Sequence, residues 1–139
     1  TGDHSFDENK KETIIEILKN NLKSVNCEDI VTIHNMMSSE AAKLMPNKSL
    51  DICFLDADHR YAQIKQDIID YLPKIKKGGV LCGHDLEQGA IPFFDKFSEE
   101  DLLTDCCQYG HAGVVQAVGE IIGFDKIEFL EDNIWLTQL

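Results

Sequence analysis

The sequence has few basic residues and no long apolar run, and both absences exclude classes of protein. Its 139 residues include 13 Lys and Arg against 25 Asp and Glu, which gives a net charge of −12. Such a charge disfavours nucleic acid partners, because the electrostatic term with a phosphate backbone would be repulsive. No apolar stretch is long enough to cross a bilayer, and no signal-peptide pattern occurs. We therefore expect neither a nucleic acid nor a membrane as partner.

Motifs of several common enzyme classes are missing as well. The sequence has no CxxC pair, no Walker-type glycine loop and no Ser-His-Asp order. Of its five cysteines, Cys53 and Cys82 lie within apolar runs, where they are predicted to be small core residues. The other three, Cys27, Cys106 and Cys107, show no metal-type spacing with one another. A reducing, cytoplasmic location fits this cysteine usage best.

What the sequence does contain is organised around residues 50–85. An apolar run at Asp51–Leu55 and a second one ending at Gly83 lack the alternation of half-buried strands, which is typical of parallel strands buried on both faces. The segment between them repeats apolar residues at helical spacing from Tyr61 to Leu72. Gly78-Gly79 is predicted to be a turn before the second strand. A strand, helix and strand in this order predict a right-handed crossover and a parallel pair.

Acidic residues and histidines follow both predicted strands. Asp56, Asp58 and His59 follow the first strand, and His84 and Asp85 follow the second. In open α/β sheets, ligands bind at this carboxyl edge. Carboxylates there suit a divalent cation such as Mg²⁺, and a histidine beside them suits a general base near neutral pH. The structural alternative stays open: Asp58 would cap a helix that starts near His59, and Asp56 would satisfy loop amides.

The flanking segments predict the rest of one α/β domain over residues 1–139. Lys10 to Leu22 has the spacing of an amphipathic helix, and Ile30–Ile33 is β-branched like a strand. A polar turn containing His34 and Asn35 leads to a short helix, for which Ser38 or Ser39 is a plausible N-cap. The later elements are a long polar loop with a short helix over 86–105, a helix over 111–122 that begins at His111, and a hairpin of strands over 126–130 and 133–137. His111 has no evident chemical partner.

The stretches FLDADHRY and GGVLCGHD resemble those of class I S-adenosylmethionine-dependent methyltransferases, in particular the small-molecule O-methyltransferase branch. The first is similar to FVDADKxNY of the cation-dependent caffeoyl-CoA type. The second is similar to GGxxxxDN of that type and more so to GGxxxGHD of bacterial sugar and antibiotic-tailoring enzymes. HAGVVQAV is similar to PGVxxAV of the same bacterial group. The resemblance implies a Rossmann-like, mostly parallel sheet with flanking helices and a final antiparallel hairpin.

The resemblance also implies roles for particular residues. Asp56 matches the first metal ligand and contacts the methyl donor, and His84 and Asp85 match the pair that completes the metal site. His59 stands where the cation-dependent enzymes have a lysine near the reacting hydroxyl, so it is the candidate base. His34, Asn35 and Ser38 are expected near the adenine end of S-adenosylmethionine, and Asp58 and His84 near the substrate. The implied reaction is methyl transfer to a hydroxyl of a sugar, natural product or phenol, with Mg²⁺ or another divalent cation assisting.

One departure from the family pattern is that the family's glycine-rich loop and the strands on either side of it have no counterpart in this sequence. Thr1-Gly2-Asp3 looks like the loop after the family's second strand, so the chain is expected to be the carboxyl-terminal portion of a methyltransferase-like domain. The strand at Asp51–Leu55 is then expected to have a bare apolar edge. Three outcomes are open: pairing with a second copy as a homodimer, movement of Ile30–Ile33 to cover the gap, or a longer protein. The alternative function is a non-catalytic fragment that folds or dimerises without binding the donor.

Overall fold

The computed structural model describes residues 13–139, in which one compact unit ends at Met36 and a second comprises Met37–Leu139. Five α-helices and four strands occur in the described residues: α1 (Ile14–Ser24), α2 (Ser38–Leu44), β1 (Leu50–Leu55), α3 (Tyr61–Tyr71), β2 (Ile75–Gly83), α4 (Glu99–Leu103), α5 (Ala112–Ile121), β3 (Glu128–Phe129) and β4 (Trp135–Gln138). The predicted loop over 1–9 and the predicted helix start at Lys10 lie outside the described residues. The single domain of residues 1–139 stays a prediction.

The described part of the first unit contains α1 and an irregular segment. Thr13 caps α1 through a capping box: its side-chain oxygen accepts from the Glu16 backbone N–H at 3.3 Å, and the Glu16 carboxylate accepts from the Thr13 N–H at 2.7 Å. The predicted strand at Ile30–Ile33 is wrong, because these residues are not strand in the structure and pair with none of the four strands of residues 13–139. The expectation that this strand covers the edge of the central one is wrong for the same reason.

The second unit is built on a four-stranded sheet of order β1-β2-β4-β3. Strands β1 and β2 are parallel, with Leu55 opposite Gly83, and β4 pairs antiparallel with both β2 and β3. The α/β class, the parallel crossover through α3 and the carboxyl-terminal hairpin are therefore confirmed. The carboxyl ends of β1 and β2 lie side by side, as the argument from residues 50–85 requires.

The core lies between one face of the sheet and helices α3 and α5. Fully buried members include Trp135, Leu81, Ile68, Val115 and Val118. Burying an aliphatic side chain of this size contributes about 1.5–3 kcal/mol relative to leaving it exposed. This burial explains why α5 stays helical despite two internal glycines, each of which costs about 1 kcal/mol in helix propensity. Packing thus fixes α5, and with it the residue at its amino end, against the sheet.

The opposite face of β1 is exposed, unlike the predicted burial on both faces. Ile52 and Phe54 are 65% and 51% exposed, whereas Cys53 and Leu55 are buried. The physical reason is that the helices in the core cluster of the second unit, α3 and α5, all pack on the face that carries Cys53 and Leu55. Among the described residues β1 pairs only with β2, so it is an edge strand.

The structure corrects the turn predicted at Gly78-Gly79. Gly78 and Gly79 lie inside β2, not before it, and accompany an irregular register between Leu50 and Ile52 of β1. Gly78 has φ +80°, a conformation that a residue without Cβ adopts at no steric cost.

The N-cap of α2 is Met37, so the predicted cap at Ser38 or Ser39 is wrong. Within residues 13–139 no helix combines the length and the apolar character needed to cross a bilayer.

Helices α3 and α5 are joined by polar contacts around Glu120. Its carboxylate accepts hydrogen bonds from the Tyr61 hydroxyl at 2.6 Å, the Lys65 ammonium at 2.9 Å and the Gln116 amide at 2.8 Å. Burial raises the pKa of Glu120, but these hydrogen bonds outweigh it and bring the pKa from 4.5 down to about 2.

Acid is therefore expected to weaken the contact between α3 and α5. Because the folded-state pKa of Glu120 lies below its unfolded value, its contribution to stability is present above pH 4.5 and is lost as the pH falls towards about 2. Urea unfolding of Glu120→Gln should depend less on pH across this window than unfolding of the parent. Glu131→Gln, at an exposed glutamate of the hairpin turn, is the control. Equal pH dependence of Glu120→Gln and the parent would contradict this role.

The cysteines are expected to differ sharply in reactivity. Burial raises the pKa of the Cys53 thiol to about 11, and Cys106 is exposed. Because the thiolate is the nucleophile, a disulfide reagent should label Cys106 early and Cys53 only on unfolding. Stopped-flow labelling of the parent and of Cys106→Ser measures this. Rapid labelling of Cys53 in the native protein would show that β1 opens readily.

Candidate active site

The predicted acidic and histidine residues meet at the carboxyl edge of β1 and β2. The backbone N–H of His84 donates to the Leu55 carbonyl at 3.2 Å, which holds the two strand ends together. Asp85 has φ +61°, a left-handed conformation that Asp and Asn tolerate better than most residues. One donor atom from each of Asp56, His84 and Asp85 lies within 4.8 Å of the others. The structure therefore brings together all three residues predicted to bind metal.

His59 lies beside this group with both ring nitrogens facing carboxylates. Its Nε2 is 3.3 Å from Asp85 Oδ2 and 3.4 Å from Asp56 Oδ1. On the other side, Asp105 Oδ1 is 3.2 Å from Nδ1 and also accepts from the His59 backbone N–H at 3.4 Å. A neutral ring that donates Nδ1–H to Asp105 turns the lone pair of Nε2 towards Asp56 and Asp85. Such a nitrogen can receive a proton or bind a cation.

Three residues of this cluster were missed by reasoning from the sequence: Glu87, Asp105 and His111. The N-cap of α5 is His111, as expected, but it has a chemical partner: Glu87 Oε1 lies 2.7 Å from its Nδ1, and Oε2 accepts from its backbone N–H at 3.1 Å. Its Nδ1 is also 3.5 Å from Asp85 Oδ1, and its ring centroid is 4.7 Å from that of His59. The sequence contained one indication that Glu87 belongs to the cluster, since it follows Asp85 by two residues.

Asp58 contacts Arg60, its neighbour in the chain. Its Oδ1 accepts from the Arg60 backbone N–H at 3.0 Å and from Nε at 2.9 Å. The guanidinium hydrogen bond is the main reason that the pKa of Asp58 falls to about 2. Asp58 does not cap α3 in the predicted way, because the helix begins one residue after Arg60, its N-cap. Its contact with substrate stays a prediction.

The residues predicted at the donor divide between the two units. His34 and Asn35 belong to the first unit, and Ser38 belongs to the second. The Ser38 hydroxyl donates to Asp67 Oδ1 at 2.5 Å, and burial raises the pKa of this Asp67 carboxyl. Ser38 and Asp56 line a common cavity of about 220 Å³ at the end of β1. Its other lining residues are Cys53, Phe54, Leu55, Ala57, Asp67 and Tyr71.

This cavity is not the largest of the unit. A cavity of about 650 Å³ lies near the amino end of β2, lined by residues that include Leu72, Val80 and Leu136. None of the clustered acids and histidines lines it. Of the two cavities, the smaller one is lined by Asp56, a member of the acid and histidine cluster, so it is the better candidate for a ligand site.

The carboxylates and the histidine lie at the carboxyl edge of a parallel β-α-β unit, which is where open α/β sheets bind ligands. A family model described as "Methyltransferase domain" matches residues 3–86, more than half of the chain. The chain therefore belongs to this methyltransferase family, and the resemblance to class I methyltransferases is confirmed at that level. The matched segment includes Asp56, His59 and Asp85 but ends before Glu87, Asp105 and His111.

A solved structure from Staphylococcus aureus, provisionally named a caffeoyl-CoA O-methyltransferase, has a similar fold. The TM-score is 0.60 and the sequence identity 20%, and the match covers 93% of this chain and 60% of that one. The chain thus spans less than two thirds of the length of this structural neighbour. No curated protein matches the sequence.

Proposed function

We propose that this chain carries the acceptor-side catalytic residues of an S-adenosylmethionine-dependent O-methyltransferase. The observation that carries the proposal is the position of His59 Nε2, within 3.4 Å of two carboxylates at the carboxyl edge of β1 and β2. Membership of a methyltransferase family supports methyl transfer in general. The name of the structural neighbour supports a hydroxyl oxygen as the acceptor.

His59 is the proposed general base. In the neutral tautomer that donates Nδ1–H to Asp105, Nε2 carries the lone pair that accepts the proton leaving the acceptor hydroxyl. The carboxylates of Asp56 and Asp85 then stabilise the imidazolium that forms, because opposite charges at this separation attract. Base catalysis of this kind typically contributes about 10²–10⁴-fold in rate.

A divalent cation is proposed at Asp56, His84 and Asp85. Two carboxylates leave coordination positions for water or substrate, which is how Mg²⁺ is commonly bound. The imidazole of His84 also admits ions that accept nitrogen ligands. A cation held there would orient the acceptor oxygen and lower the cost of its developing negative charge.

The donor site is proposed next to this cation site. When bound, S-adenosylmethionine supplies an electrophilic methyl group on a sulfonium. Ser38 and Asp56, which share the cavity of about 220 Å³, would hold part of the donor, and His34 and Asn35 are proposed at its adenine end. Drug-sized ligands usually occupy about 300–1,000 Å³, so the described residues of the second unit enclose only part of such a molecule.

The acceptor is proposed to be a small hydroxyl compound in the cytoplasm: a sugar, a natural product or a phenol. Asp58 is held ionised by Arg60, so it can accept a hydrogen bond from a second hydroxyl of the acceptor. His84, at 35% side-chain exposure, is accessible for a similar contact. A net charge of −12 argues against nucleic acid as the acceptor.

A methyl-transfer assay tests the proposal. Labelled S-adenosylmethionine is incubated with the chain, Mg²⁺ and a panel of catechols and sugars, and the labelled product is counted. His59→Gln should lower the rate at least about 100-fold, and Asp51→Asn, at an exposed ion pair with Lys76, should leave it unchanged. Product formation by the parent with an undiminished rate for His59→Gln would contradict the assigned base.

The edge position of β1 favours a second candidate function, a fragment that dimerises without catalysis. Ile52 and Phe54 are exposed on an edge strand, and such strands pair readily with a second chain. Sedimentation equilibrium should then show a dimer that Ile52→Lys dissociates. A monomer at all concentrations would contradict this candidate.

A further inference from the structure

We infer that His59, Asp85 and His111 form a binding site for a first-row transition-metal ion that prefers imidazole nitrogen, of the Zn²⁺ and Co²⁺ class. The inference goes beyond the proposed function, because an ion on His59 Nε2 would occupy the lone pair that the proposed base uses, so ion binding here and the base role of His59 exclude each other. It uses a different set of ligands from Asp56, His84 and Asp85. Two of the three ligands are nitrogen donors, which favours Zn²⁺ or Co²⁺ over Mg²⁺.

The three donors converge from three separate segments of the second unit. His59 follows β1, Asp85 follows β2, and His111 precedes α5. One donor atom of each lies within 4.8 Å of the others. Two ligands about 2.1 Å from a tetrahedral metal ion are roughly 3.4 Å apart. His59 Nε2 and Asp85 Oδ2 already have this separation, at 3.3 Å, and His111 Nδ1 lies 3.5 Å from Asp85 Oδ1.

Each histidine of the trio has a carboxylate against its ring. Asp105 contacts His59 Nδ1 at 3.2 Å, on the side away from Asp85, whereas Glu87 contacts His111 at Nδ1, the nitrogen that also lies 3.5 Å from Asp85 Oδ1. Asp105 therefore has the position of the outer partner that metal-binding histidines almost always have, which fixes the ring orientation of His59. Both carboxylates lie beyond the segment matched by the family model, as does His111.

The packing of α5 holds the two histidines in place. A Cβ on Gly113 would lie 2.3 Å from the His59 carbonyl oxygen and 2.4 Å from the Tyr61 nitrogen. The first turn of α5, which follows His111, therefore rests directly on the backbone at His59. Sites held by packed backbone keep their ligands close to the binding geometry before the ion arrives.

Charge and burial favour this trio as the cation ligands over the set of Asp56, His84 and Asp85. Asp56, Asp85, Glu87 and Asp105 contribute four carboxylates, and no Lys or Arg forms an ion pair with any of them within residues 13–139. A cation among them offsets their mutual repulsion. The side chains of His59, Asp85 and His111 are only 15%, 15% and 18% exposed, compared with 49% for Asp56. Because solvent screens enclosed charges less, the more enclosed set should bind a cation more tightly.

The test is a titration of the full chain with Co²⁺, followed by its visible absorption, and with Zn²⁺ in competition. The parent should bind Co²⁺ with the spectrum of nitrogen and oxygen ligands. His111→Gln should weaken binding at least tenfold, and because its side-chain amide still donates to Glu87, folding is expected to persist; circular dichroism checks this. Asp51→Asn, at an exposed ion pair with Lys76 that belongs to neither set of ligands, is the control and should leave the affinity unchanged.

Two results would overturn the inference. Loss of binding in His84→Ala with full binding in His111→Gln would place the ion at Asp56, His84 and Asp85. Absence of Co²⁺ and Zn²⁺ binding by the parent would exclude the site altogether. Neither result decides the proposed methyl transfer, which the assay with Mg²⁺ tests separately.

Discussion

Asp85→Asn should abolish cation binding at the sheet edge, for Mn²⁺ as well as for Co²⁺. Asp85 belongs to both groups of possible ligands found within residues 13–139, so a cation held by either group depends on it. Asparagine keeps the size of the side chain and tolerates the left-handed backbone at φ +61°, but it lacks the charge. Loss of an outer partner alone typically costs about 10–100-fold in affinity, so loss of the shared ligand should cost at least about 100-fold. Calorimetric titration of each ion measures this.

Asp132→Asn is the matched control for this prediction. Asp132 has φ +56° and is exposed in the hairpin turn, so the substitution tests the backbone effect without the site. Its cation affinity and its unfolding free energy should equal those of the parent. If Asp85→Asn bound cations as tightly as Asp132→Asn, neither ligand group would be the binding site.

Gly113→Ala should destabilise the protein by about 3 kcal/mol and should also weaken cation binding. Alanine has the higher helix propensity by about 1 kcal/mol, so a helix considered alone would gain stability. The added Cβ, however, meets backbone atoms of His59 and Tyr61 at 2.3 and 2.4 Å. Backbone cannot rotate away as a side chain can, and overpacking of this kind typically costs about 1–3 kcal/mol or more. The start of α5 should therefore shift, carrying His111 away from His59.

Urea unfolding with Gly89→Ala as control tests this prediction. A Cβ at Gly89 meets nothing within 4 Å, so that substitution should change the unfolding free energy by less than about 0.5 kcal/mol. Unchanged or increased stability of Gly113→Ala would show that α5 does not rest on the backbone at His59. The positioning of His111 would then need another explanation.

The part of the site that the sequence predicts is the part encoded by local pattern. Apolar runs and the helix between them predict the parallel pair, and a parallel pair places the residues after both strands at one edge. Asp56, His59 and Asp85 follow from this geometry alone. The same reasoning gave His84 as a metal ligand or a substrate contact, and the structure places it within reach of Asp56 and Asp85.

The part of the site that the sequence did not predict, Glu87, Asp105 and His111, depends on contacts between residues far apart in the chain. Glu87 and His111 are 24 positions apart, and His59 and Asp105 are 46 apart. No periodicity in a single sequence reports such pairs, because each partner lies in a polar loop or at a helix end. The predicted strand at Ile30–Ile33 failed for a related reason: β propensity describes how a side chain fits a paired strand, and these residues have no strand partner in the described part of the chain.

Calorimetric titration of the chain with S-adenosylmethionine, with and without Mg²⁺, tests the central claim most directly. The proposed function predicts micromolar binding that Ser38→Ala weakens, because Ser38 and Asp56 line the cavity beside the catalytic residues. Absence of binding under both conditions would contradict the claim that this chain holds the methyl donor.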